Sequence, residues 1–181
     1  MDEADHARLA RWRVPLGLGL GVLYMIFAQP TPGYLAVGAF ISLAGLAWRA
    51  YASGYLEKNV RLAVAGPYAY CRNPLYLGSF FIGIGMILAG RTWLLGIVFL
   101  LFFVGVYVPV MRREAGDLQR RFGSVYQEYA ARVPLWLPAS RRRQSEAERF
   151  RWSRYVKNRE YEAALGYLGA LLFLAIKMKL R

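Results

Sequence analysis

The sequence predicts an all-α polytopic membrane protein, a helical bundle with about five transmembrane helices, and three observations carry that prediction. Hydrophobic residues make up 57% of the 181 positions, and charged residues 19%. The charges gather in the N-terminal segment, in a central stretch and in a block after Pro138. Between them lie apolar runs close to the ~20 residues that cross a bilayer. Such segregation separates a membrane protein from an apolar soluble one, and the length fits a single domain over residues 1–181.

Residues 1–13 are polar and end in Arg8, Arg11 and Arg13, with Trp12 placed as an interfacial anchor. Residues 14–28 form the first expected span, where Gly17, Gly19 and Gly21 offer close helix packing. A short basic segment before an apolar run also resembles a signal peptide. The turn Gln29-Pro30-Thr31-Pro32-Gly33 leads at once into another apolar run without a small-residue cleavage site, so a retained helix is expected. Residues 34–53 are the second span, and Arg49 near its end must snorkel or line a polar cavity. Residues 75–89 and 93–110 are the third and fourth, joined by Gly90-Arg91-Thr92, with Pro109 marking a kink at the exit. Over residues 111–129, Leu118, Phe122, Val125 and Tyr129 recur at helical spacing and predict an amphipathic helix extending the fourth span along the cytoplasmic surface. Pro134 and Pro138 end it. Residues 141–159 are a basic anchor, and residues 162–178 the fifth span, with Glu162 and Lys177 at the interfaces.

The net charge of +13 raises nucleic acid as a partner, but Arg and Lys flank the apolar runs, where anionic lipid and the positive-inside rule account for them. The N-terminal arm and the 54–74 and 111–159 segments carry most of these charges and fall on one side, which predicts a cytoplasmic N-terminus. Lys177, Lys179 and Arg181 then emerge on the opposite side, against the rule. One cysteine, Cys71, excludes an internal disulfide and a multi-cysteine metal site. One histidine, His6, lies in the polar tail, so neither a metal site nor a histidine base is expected.

Chemistry concentrates in Gly66-Pro67-Tyr68-Ala69-Tyr70-Cys71-Arg72-Asn73-Pro74-Leu75-Tyr76-Leu77-Gly78. Gly66-Pro67 supplies a turn, and Pro74 suits a first helical turn whose free amides favour a carboxylate. By composition alone, the three tyrosines within nine residues read as an interfacial aromatic belt with an arginine anchor. The order of residues adds more. This block resembles the signature G-x-Y-x-x-x-R-[HN]-P-x-Y-x-G of the membrane isoprenylcysteine carboxyl methyltransferase and phospholipid methyltransferase family. A second block follows at matching spacing: Glu114, Leu118, Phe122, Gly123, Tyr126, Tyr129, Val133 and Pro134. Gly54, Leu56 and Lys58 resemble the family's approach to its first block. The resemblance covers a motif-bearing core of residues 34–138, leaving a basic segment and extra helix over 139–181.

The resemblance implies a cytoplasmic pocket for S-adenosyl-L-methionine lined by Leu62, Ala63, Tyr68, Asn73, Pro74, Leu75, Tyr76 and Glu114. It implies methyl transfer to a lipid or lipidated acceptor entering from the bilayer. Arg113 and Arg132 are the candidates to orient an anionic acceptor, or to bind lipid phosphates instead. No metal is implied, and the catalytic residue and oligomeric state stay open. Three positions depart from the family: Ala115 replaces the second acid of a Glu-Glu pair, leaving Asp117 as substitute, Asn73 stands where many members have histidine, and Val110 replaces an acceptor-binding arginine. The expected acceptor is an isoprenylcysteine-like carboxylate, with a phosphatidylethanolamine-type amine as the alternative. A nicotinamide-dependent membrane reductase and a non-catalytic scaffold are the rival functions. The Arg141-Arg142-Arg143 and Trp152–Tyr155 regions suit a headgroup patch or an anchor for the fifth span.

Overall fold

A computed structural model describes residues 3–58, 60–138 and 149–180. Helices α1 (Glu3–Phe27), α2 (Pro32–Ser53), α3 (Pro74–Gly90), α4 (Trp93–Phe102), α5 (Val108–Arg132), α6 (Trp152–Lys157) and α7 (Tyr161–Lys179) follow in order, with no strand among the described residues. Every expected span is found as a helix. Pro32–Ser53, the continuous run Trp93–Arg132 and Tyr161–Lys179 are long and apolar enough to cross a bilayer. Pro15–Phe27, within α1, and Pro74–Gly90 are shorter apolar stretches, the latter ~25 Å long at 1.5 Å per residue. The Trp12 anchor and the Arg141–Arg143 patch lie outside the described side chains.

The bundle is built on α2 against α3. Small residues let the two backbones meet: a Cβ at Gly38 would stand 2.3 Å from the Gly85 carbonyl oxygen, and one at Gly45 would stand 2.7 Å from that of Gly78. In lipid, where apolar burial gives little drive, such close van der Waals contact is the main source of helix association. Ser42 lies between them and donates its hydroxyl to the Ile82 carbonyl at 3.0 Å. The expected glycine contact on α1 is not where the packing occurs. A Cβ at Gly17, Gly19 or Gly21 meets nothing within 4 Å, because that stretch of α1 has no helix laid against its glycines.

α7 crosses α2 through Tyr167, whose hydroxyl donates to the Ala39 carbonyl at 2.8 Å. At one end of the bundle the turns after α1 and α3 meet, the Gln29 amide donating to the Gly90 carbonyl at 2.8 Å. Lys177 reaches the same end and donates to the carbonyls of Met25 and Ile26 at 2.6 and 2.7 Å. A cation on the last turn of α1 is favoured by its dipole. The exposed faces are apolar, with Phe40, Leu94 and Leu101 all at least 70% exposed, as contact with acyl chains requires.

The fourth span and the amphipathic helix form one run with two interruptions. Phe103–Tyr107 is a π-helical turn directly before Pro109. Proline has no N–H to give to the preceding turn, and the widened turn accommodates that loss. Gly123 (φ 54°, ψ −127°) then breaks α5 in a conformation suited to glycine alone.

Gly38→Leu is expected to destabilise the bundle by about 1–3 kcal/mol or more, since backbone faces backbone at that point. Gly19→Ala should leave stability within about 0.5 kcal/mol. Thermal melting in detergent measures both.

Candidate functional site

At the end of the bundle opposite Lys177, α2, α3 and α5 surround a cavity of about 1050 Å³, at the upper end of the ~300–1,000 Å³ usual for small-molecule sites. Its lining includes all eight residues expected to hold a cofactor: Leu62, Ala63, Tyr68, Asn73, Pro74, Leu75, Tyr76 and Glu114.

The first block forms the floor. Gly66 takes φ +58° and opens a 3-10 turn, Gly66–Ala69, where a Cβ would meet the Tyr55 ring at 2.7 Å. Tyr68 is 6% exposed within that turn and borders the cavity. Burial raises the pKa of Tyr68, and likewise of Tyr129, above the ordinary phenol range, keeping both hydroxyls protonated. Asn73 stands at the N-cap position of α3, and Pro74 takes the first position of the helix.

The second block is fastened onto the first. Past Gly123 the chain turns back, and the Tyr129 hydroxyl donates to the Tyr68 carbonyl at 2.7 Å. Arg72 Nη1 donates to the Tyr126 hydroxyl at 3.0 Å, and the Arg72 amide to the Pro134 carbonyl at 2.9 Å. Asn73 Nδ2 donates to the Leu135 carbonyl at 2.9 Å, so this side chain holds the return segment as well as bordering the cavity. Trp136 then packs edge-on to Phe80, with ring centroids 5.1 Å apart.

On α5, Glu114, Asp117, Leu118 and Arg121 share one face at intervals of three and four and line the opposite wall. Tyr76 donates to Glu114 Oε1 at 2.7 Å. Asp117 does reach the cavity, one turn beyond Glu114, and its carboxylate is paired with Arg120. Tyr107, from the π-helical turn, stands edge-on to Tyr76 with centroids 5.5 Å apart. The wall holds six basic side chains (Arg49, Lys58, Arg61, Arg72, Arg120 and Arg121) against four acidic ones (Glu57, Glu114, Asp117 and Glu160), a positive excess that suits anionic groups.

Arg113 and Arg132 are exposed and are not among the lining residues. Arg49 does line the cavity, as one of its two expected solutions required, and its partner there is Glu160. Glu160 went unread in the sequence. The available signal was Arg49 itself, since a cation at that depth calls for a carboxylate from another helix.

Cys71 is fully buried beneath the floor. Burial pushes its thiol up to about 11, the Asn73 amide bond opposing in part. At pH 8 the thiolate is then only about a thousandth of the population. Maleimide should label Cys71 at pH 8 only after denaturation; rapid labelling of folded protein would contradict this burial.

Residues 18–125 match the family model described as phospholipid methyltransferase. The nickel-cobalt-cadmium resistance protein NccN of Alcaligenes xylosoxydans xylosoxydans is 30% identical over 142 residues, covering 72% of this chain and 64% of that protein. The cobalt-zinc-cadmium resistance protein CzcN of Cupriavidus metallidurans is 32% identical over 128 residues, 70% of this chain and 51% of that protein. The protein-S-isoprenylcysteine O-methyltransferase of Mus musculus is 34% identical over 77 residues, 42% of this chain and 27% of the enzyme. This chain thus spans less than two thirds of the length of the curated relatives it matches. No solved structure gives a significant match.

Proposed function

This chain belongs to the phospholipid methyltransferase family, and we propose that it transfers a methyl group from S-adenosylmethionine to a lipophilic acceptor at the membrane. The observation that carries the reading is the convergence on one cavity of the eight residues that the two motif blocks single out.

The residues present fit the cofactor. The Glu114 carboxylate can accept hydrogen bonds from ribose hydroxyls or an ammonium group, and the opening turn of α3 is a favourable place for a carboxylate. Leu62, Ala63 and Tyr68 supply apolar and aromatic surface that excludes water from the same volume. Bound there, S-adenosylmethionine supplies an electrophilic sulfonium methyl group. Displacement at such a carbon depends on alignment and on exclusion of water more than on proton transfer, so these residues need only bind, orient and desolvate.

The acceptor we favour carries a carboxylate on a lipid-modified thiol, in line with the isoprenylcysteine O-methyltransferase similarity. Arg120 and Arg121 on the cavity wall supply positive charge for it, whereas Arg113 and Arg132 are left as surface contacts for lipid phosphates. The second reading, methylation of a phosphoethanolamine lipid, draws on the description of the matching family. The cavity end is read as cytoplasmic because the basic segments gather there. The names of NccN and CzcN speak of metal resistance and do not point to an acceptor.

Calorimetric titration of the detergent-purified protein with S-adenosylhomocysteine, alongside a nicotinamide cofactor, tests the reading. Binding of the former alone is expected. Binding only of the nicotinamide would turn the assignment to a reductase, and binding of neither by folded protein would leave a scaffold. Glu114→Ala should weaken S-adenosylhomocysteine by about 10- to 100-fold, the worth of one to two charge-assisted hydrogen bonds, without lowering the melting temperature. Unchanged affinity in that folded variant would remove Glu114 from the site.

A further inference from the structure

Glu160 lies beyond the matched region 18–125 and beyond both motif blocks, yet it borders the cavity. It grips Arg49 at two points, Nε to Oε2 at 3.0 Å and Nη2 to Oε1 at 2.9 Å, joining α2 to the start of α7. The side chains are 21% and 8% exposed. The remaining nitrogen of Arg49, Nη1, turns to α3, donating to the Leu75 carbonyl at 3.3 Å and to the Ser79 hydroxyl. Ser79 donates in turn to the Leu75 carbonyl at 3.0 Å.

A guanidinium is planar and its donors are fixed relative to one another. Holding two of its nitrogens on Glu160 therefore sets the direction of the third. That third nitrogen holds the first turn of α3, where Pro74, Leu75 and Tyr76 line the cavity. We propose that Glu160 is a positioning residue for this site, acting through Arg49 on the opening turn of α3. The inference rests on reading the cavity as the methyl-donor site and extends that site to the C-terminal segment.

The base from which Glu160 is presented is itself fixed. Arg154 is 5% exposed, donating to the Gly54 and Tyr55 carbonyls at 3.5 and 3.4 Å and to Glu57 at 3.3 Å. Asn158 donates to the carbonyls of Ser53 and Leu56 at 3.1 and 3.0 Å. Phe150 fills the space over Gly54, where a Cβ would meet its ring at 2.2 Å. These contacts tie residues 150–158 to the end of α2, so the α6–α7 corner delivers the carboxylate from a braced support.

Two variants separate positioning from simple stability. Glu160→Gln keeps the shape and removes the charge. The double variant Arg49→Met/Glu160→Leu replaces the pair by apolar side chains of similar size, a change that buried ion pairs often tolerate without loss of stability. Amide hydrogen exchange at residues 77–80 is measured on ligand-free protein in detergent, and S-adenosylhomocysteine affinity by calorimetry. Exchange at that turn is expected to quicken by about tenfold in both variants while α4 and the interior of α7 stay as in wild type. Affinity should fall by about tenfold, with partial recovery in Glu160→Asp. Unchanged exchange at residues 77–80 in either folded variant overturns the proposal, and so does wild-type affinity in the double variant. Quickened exchange in a protein whose wild type binds no S-adenosylhomocysteine would uphold the strut and remove the methyl-donor reading instead.

Discussion

An unpaired peptide group in hydrocarbon costs several kcal/mol, and the layout of this protein follows from that constraint. Within the bundle the helices satisfy their own backbones, so polar chemistry can collect only at the ends. Each end must also satisfy the carbonyls that a helix leaves open. At one end Lys177 serves the last turn of α1. At the other, Arg154 and Asn158 serve the last turn of α2 and the residues that follow it. The C-terminal segment is therefore a structural part of the cavity end as well as the lead into α7.

Irregular backbone joins two motif blocks about forty residues apart in the chain into one site. The π-helical turn before Pro109 presents Tyr107 beside Tyr76 at the cavity wall. Gly123 then turns the chain so that Tyr126 and Tyr129 reach back to Arg72 and Tyr68. A side chain at Gly123 would meet no neighbour within 4 Å, so the glycine is required by its positive φ and not by crowding. This gives a physical role to a motif glycine that spacing alone leaves unexplained.

Hydropathy and motif order made much of the architecture legible, because both are local or depend on chain order. The five apolar runs, the turn at Gly66 and the start of α3 at Pro74 could all be read that way. Partnership between distant residues could not. Gly17, Gly19 and Gly21 show that a close approach is permitted but not which helix supplies it; the approach occurs instead at Gly38 and Gly45 against α3. Arg113 sits next to Glu114 in sequence, yet of the two only Glu114 borders the cavity. Glu160 is 111 positions from Arg49, with no spacing rule to link them, and α6 lay hidden inside a segment whose basic composition reads equally well as a lipid anchor.

The charge of the cavity shows why an arginine at the depth of Arg49 is tolerable and useful. An isolated guanidinium there would be expensive, and its cost falls only if a carboxylate and further acceptors meet its donors together. Glu160, Ser79 and the Leu75 carbonyl meet that condition from two different helices. Removing either charge would leave the other stranded against the bundle, so the pair ties α7 to α2 and α3 more stringently than apolar contact would. Across the cavity, Glu114 accepts a hydrogen bond from the Tyr76 hydroxyl, which stands on the opening turn of α3 that Arg49 holds. The two acids thus divide the work by their surroundings: Glu160 is committed to holding the wall, and Glu114 is presented to whatever the wall encloses.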